Sequence, residues 1–101
     1  MNKEQILSFL GLCQKAKKIV SGEAFSLEQI KAKQAKLVFL ASDAGVNTTK
    51  RIKDKSLFYE VEVIDSFSTE ELSKAIGKNN RKVVTVIDKK FADKMKELKN
   101  M

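Results

Sequence analysis

The chain has 101 residues, 43% of them hydrophobic and 33% charged, with a formal net charge of +7. That length fits a single domain over residues 1–101, and the composition excludes a disordered chain. A single cysteine excludes an intrachain disulfide. No apolar run reaches the roughly 18–20 residues of a membrane span, so a cytoplasmic protein with an acidic partner and no membrane partner is expected.

Residues 3–17 read as an amphipathic helix. Ile6, Phe9, Leu10, Cys13 and Ala16 share one face, and Lys15 and Lys18 fall on the wet side. Cys13 lies in the apolar stripe and reads as a buried, inert thiol. Ile19 and Val20 form a short strand candidate. A helix then opens at Ser21 or Gly22 and runs to about Lys33, with Glu23 in its first turn and Leu27 and Ile30 inward. Lys15, Lys17 and Lys18 are thus expected to converge beside a helix N-terminus, whose free N–H groups favour anions. Phe25 falls off the inward stripe. It is read as packing elsewhere, with an exposed aromatic as the alternative.

Leu37–Ala41 is a continuous apolar run, the pattern of a strand covered on both faces. Ser42–Gly45 is a loop. Asn47 is the expected cap of a helix through about Phe58, with a thin apolar face of Val46, Ile52 and Tyr59. Residues 61–64 form another strand. Ser68 and Glu71 have capping-box spacing and open a short helix with Leu72, Ala75 and Ile76 inward, which Gly77 stops. Residues 78–82 make a basic polar loop, and residues 83–87 the last strand. Asp88 caps a closing helix with Phe91, Met95 and Leu98 inward. Strands alternating with helices imply an α/β fold with helices on both faces of a small sheet.

Catalysis finds little support. There is no histidine, no cysteine pair and no glycine-rich phosphate loop. Asp43 sits at a strand end with no second acid or nucleophile and reads as a loop or cap residue. No cofactor or metal is implied. The basic and polar residues suggest instead a nucleic-acid surface. Ser21 and Gly22 follow the first strand, and Asp43–Thr49 follow the second. Residues 78–82 join the same sheet edge if the last strand runs antiparallel. Lysine and arginine there would neutralise phosphates, and Asn47, Asn79 and Asn80 would reach base edges or sugars.

Several stretches resemble the kink-turn RNA-binding ribosomal protein superfamily (large-subunit proteins seven-Ae and thirty-e), and within it the bacterial YlxQ subgroup. They are Leu10-Gly11-Leu12, residues 16–23, residues 35–38, Ser42-Asp43-Ala44, Asn47-Thr48 and Ile76-Gly77-Lys78. The resemblance implies a three-layer α/β/α sandwich with a small mixed four-stranded sheet. It implies a non-catalytic protein of structured RNA, ribosome-associated, with ribosomal or RNA-processing proteins as further partners. It places RNA against the loops at Gly22 onward, Asp43–Thr49 and Gly77–Lys82. The candidate contacts are Lys15, Lys17, Lys18, Ser21, Gly22, Glu23, Asn47, Thr48, Lys50, Lys78, Asn79, Asn80, Arg81 and Lys82. The family's base-reading motif has Asn-Glu after the glycine region and Lys three residues later. Ala24, Phe25 and Glu28 stand at those positions, so no base-reading role is carried onto them. The altered motif leaves a protein–protein adaptor on a ribonucleoprotein as the alternative.

Overall fold

A strand that is apolar at nearly every position needs cover on both faces, and two such strands form the centre of the molecule. In the computed structural model, which describes residues 1–101, these are β2 (Leu37–Leu40) and β4 (Val83–Val86). β1 (Ile19–Ser21) and β3 (Val63–Ile64) flank them, in the sheet order β1-β4-β2-β3. β4 runs antiparallel to both β1 and β2, whereas β2 and β3 are parallel. The sheet is therefore mixed, with the last strand reversed as the loop argument required.

Side chains alternate across the strands. Leu37, Phe39, Val84 and Val86 point to one face, where α1 (Lys3–Lys15), α4 (Thr69–Ala75) and α5 (Lys89–Lys99) complete a cluster of 16 buried apolar residues. Val38, Leu40 and Val83 point to the other, where α2 (Glu23–Lys31) and α3 (Val46–Phe58) complete a cluster of only six. Gly11 lets α1 approach α4 closely, because a Cβ there would lie 3.0 Å from the Ala75 carbonyl oxygen.

Two of the three side-chain caps read from sequence are present, and the third, Asn47, is not. Ser68 and Glu71 form a reciprocal capping box, and the Asp88 carboxylate accepts from the Phe91 N–H at 3.1 Å. Asp43 is a cap-like tether, accepting from the Thr69 N–H at 2.8 Å and from its hydroxyl at 2.7 Å.

Helices α1 to α4 end alike. The residue after each cap is left-handed: Lys17 (φ 60°), Lys33 (φ 62°), Glu60 (φ 56°) and Gly77 (φ 67°). In α1 the Lys17 and Lys18 N–H groups reach back to the Gln14 and Cys13 carbonyls. The same pair of bonds closes α2, α3 and α4, which is the Schellman arrangement. Three of the four ends lack glycine, and this corrects two expected boundaries. α1 stops at Lys15 and not 17, leaving Ala16 exposed, and α2 stops at Lys31 and not Lys33.

Other expectations also change. α3 is capped by Gly45, which places Asn47 inside the first turn, and Val46 is exposed. Its buried residues are Ile52 and Ser56. Phe25 does not pack elsewhere but is 64% exposed, while Ser26 fills the buried position beside it. β3 is two residues long, with Val61 and Glu62 leading into it.

Candidate nucleic-acid interface

Because β4 is reversed, the loop before it meets the loops after β1 and β2 at one edge of the sheet. Backbone hydrogen bonds fix this meeting. The Gly22 N–H donates to the Val83 carbonyl and the Ala41 N–H to the Lys82 carbonyl, each at 2.8 Å. Gly22 adopts φ +101°, a region where side chains are strained, and it turns the chain directly from β1 into α2. No side chain caps α2, so its first-turn N–H groups stay available to an acceptor.

Arg81 ties its own loop to the end of β1 and to α4. Its N–H donates to the Ser73 hydroxyl at 2.7 Å, its Nε to the Ser21 hydroxyl at 3.1 Å and its Nη1 to the Asn79 carbonyl at 2.9 Å. Lys82 donates to the Asn80 side-chain oxygen at 3.4 Å, and Asn80 is itself left-handed at φ 51°. Lys78, Asn79 and Asn80 are exposed. Asn47 is exposed at the opening of α3, and Lys50 is paired with Asp54 one turn further on.

Glu23 has a different place from the one its position in α2 suggested. It forms an ion pair with Arg51 and accepts from the Thr48 hydroxyl at 2.8 Å. Those bonds, Arg51 first and then Thr48, hold its carboxyl below the usual carboxylate range. Glu23 and Thr48 thus brace the openings of α2 and α3 against each other. Arg51 completes the brace and was missed from sequence, since its partner lies 28 residues away. Phe25 projects from the same opening turn of α2. Its exposure makes it an aromatic face at the opening of α2, near Gly22.

Lys15, Lys17 and Lys18 do not converge on Gly22. They precede β1 and Gly22 follows it, so the length of the strand, about 3.3 Å per residue, separates them. The Lys18 carbonyl accepts from the Ile87 N–H at 2.9 Å, and its ammonium lies 3.6 Å from Asp88. These lysines belong to the opposite edge of the sheet. The remaining eleven candidates do gather at the loop edge.

Comparison with known proteins agrees with this architecture. The model of the Ribosomal protein L7Ae/L30e/S12e/Gadd45 family matches residues 4–96. The chain belongs to this family. It is similar to the RNA-binding protein YlxQ of Enterococcus faecium, at 42% identity over 97 residues, covering 96% of this chain and 93% of that one. It is similar also to the RNA-binding protein YlxQ of Bacillus subtilis, at 43% identity over 86 residues, covering 85% and 86%. Among solved structures, a Bacillus halodurans protein of unknown function superposes with a TM-score of 0.91 at 35% identity, covering 96% of this chain and 98% of that one. The Giardia lamblia 15.5kD RNA binding protein superposes with a TM-score of 0.78 over 94% of this chain and 88% of that one. At 17% identity that likeness shows the shared fold. The mixed four-stranded sheet between two helical layers is thus the L7Ae family fold.

Proposed function

We propose that this protein binds folded RNA through the loop edge and catalyses no reaction on it. The observation that supports this most is the meeting of three loops at one edge of the sheet, where Arg81 bonds Ser21 and an uncapped helix N-terminus opens at Gly22. Such an edge offers a fixed concave set of donors to a bent phosphate backbone. Lys78 and Lys82 supply charge that no acid neutralises, Lys50 adds charge shared with Asp54, Asn47, Asn79 and Asn80 reach sugars or base edges, and Arg81 with Ser21 holds two of the loops in register. Membership of the family and the names of the YlxQ relatives point the same way.

A kink-turn-like bend in ribosomal or other structured RNA fits this edge best. Ala24 and Phe25 cannot hydrogen-bond base edges as Asn-Glu does, so shape and phosphate contacts carry recognition. Phe25 offers a stacking face in place of a carboxylate. The test is titration of a kink-turn RNA against salt. Replacing Lys78 and Lys82 together by Gln should weaken binding and lower the salt slope by roughly 0.7–0.9 per lost phosphate contact. Converting the sheared G·A pairs to Watson–Crick pairs should weaken binding less than it does for relatives that keep Asn-Glu. A salt slope unchanged in the double variant would remove the loop edge from RNA binding.

A further inference from the structure

Positive charge is not confined to the loop edge, where Lys78, Arg81 and Lys82 pair with no acid. There, Arg51 is neutralised by Glu23 and Lys50 by Asp54, and Asp43 and Glu70 stand close by. The opposite edge, where β1 and β2 begin and β4 ends, differs. The Val86 carbonyl accepts from the Lys36 N–H at 2.8 Å, and the Ile87 N–H donates to the Lys18 carbonyl at 2.9 Å. Lys18 and Lys36 therefore flank the end of β4 on its two sides. Lys17 and Lys33 stand next to them as the left-handed closers of α1 and α2, both exposed. None of Lys15, Lys17, Lys33, Lys36 or Lys96 pairs with an acid.

The same edge carries an aromatic pair in a concavity. Phe58 is 76% exposed and packs edge-on against Tyr59, with ring centroids 4.9 Å apart. Lys33, Lys36 and Lys96 line the surrounding hollow of about 720 Å³. Two acids line it too, but Glu62 is neutralised by Lys99 at 2.8 Å, which leaves Glu60 against three lysines that pair with no acid, Lys36 donating only to the Lys33 carbonyl at 3.4 Å. An apolar protein partner would meet unpaired charge here, and a simple anion would have no use for the ring. A single strand of nucleic acid uses both, since its bases stack on exposed rings while cations follow its phosphates.

We propose that this edge is a second RNA contact, taking a single-stranded segment whose base stacks on Phe58 and whose phosphates meet Lys33, Lys36 and Lys96. It is separate from the loop edge, so one molecule would hold two segments of RNA at opposite ends of its sheet. The inference does not depend on what the loop edge binds.

The experiment uses a twelve-nucleotide oligouridylate and a kink-turn RNA as separate probes. Phe58→Ala should weaken oligouridylate binding about 5- to 100-fold, the range of one lost base–aromatic stack. Replacing Lys33, Lys36 and Lys96 by Gln should lower its salt slope by about 2, at roughly 0.7 for each phosphate on a single strand. Both variants should keep their folded signal and their kink-turn affinity, whereas the Lys78/Lys82 variant should show the reverse pattern. Oligouridylate that fails to bind, or binds the Phe58 and lysine variants as well as the native chain, overturns the second contact and leaves the loop edge standing. Kink-turn binding untouched by the Lys78/Lys82 variant overturns the loop edge alone.

Discussion

The two faces of the sheet are built differently. The face under α1, α4 and α5 buries 16 apolar residues, including Phe39 and Phe67 with ring centroids 5.9 Å apart. The face under α2 and α3 buries six. It also carries three buried hydroxyls, on Ser26, Ser56 and Thr85, that make no hydrogen bond within the protein. Thr85 lies there because it alternates with Val84 and Val86 and is registered with Val38. Apolar burial scales with stability, and an unsatisfied buried hydroxyl subtracts from it. The first face therefore carries the fold. The second carries the helix whose opening forms part of the candidate RNA edge, on a thinner and more polar bed tied by the Glu23 brace.

The largest test of that contrast is Phe67→Ala. It should cost about 3–5 kcal/mol and lower the denaturant midpoint for the whole chain, since the ring lies fully inside the larger cluster. Ile52→Ala empties the smaller cluster and should cost about 2–3 kcal/mol, toward the low end of such changes, because α2 and α3 can settle into the space. Amide exchange should then quicken in α2 and α3 before α1 and α5. Uniform quickening would mean that the faces are one cooperative unit.

Thr85→Val sharpens the comparison from the other side. It keeps the shape and removes a hydroxyl that finds no partner, so a gain of about 1 kcal/mol is expected from chemical denaturation. A loss would show that the hydroxyl is satisfied by water. The smallest effect belongs to Glu23→Gln. Its folded carboxyl titrates below the ordinary value, so the brace is present above the unfolded value of about 4.3 and is lost as pH falls through the folded one. The substitution should leave the global midpoint almost unmoved. It should quicken exchange in the first turn of α2 by less than about fivefold at neutral pH, and make no difference at the acid end.

Much of this fold is legible in the sequence, for a physical reason. Ser68 with Glu71, and Asp88 with Phe91, are local devices whose partners lie three residues away. The apolar strands at Leu37–Leu40 and Val83–Val86 show that both faces of the sheet are covered. Features set by distant partners are not legible. Nothing near Glu23 announces Arg51, and nothing near Lys18 announces Asp88. The helix ends at Lys17 and Lys33 lack the glycine by which such ends are read, so both helices were expected two residues too long. The lysine group at residues 15–18 is close to Gly22 in sequence and remote from it in space, because a strand lies between them. Phe25 was misplaced because an off-stripe aromatic finds cover only if a neighbouring element supplies it, and none does at the opening of α2.

The left-handed lysines carry a consequence for any effort to harden this protein against heat. A helix end of this kind accepts glycine more readily than a side chain, and the relief is about 1 kcal/mol at each site, offset in part by a floppier unfolded chain. Lys17→Gly and Lys33→Gly are therefore obvious choices for an engineer working by thermal screening. Each would also remove an ammonium group that pairs with no acid. Under the proposed second RNA contact, selection for melting temperature alone would erode affinity for polyanions with no warning in the screen, and these two positions would be where durability and grip on a ligand are traded against each other.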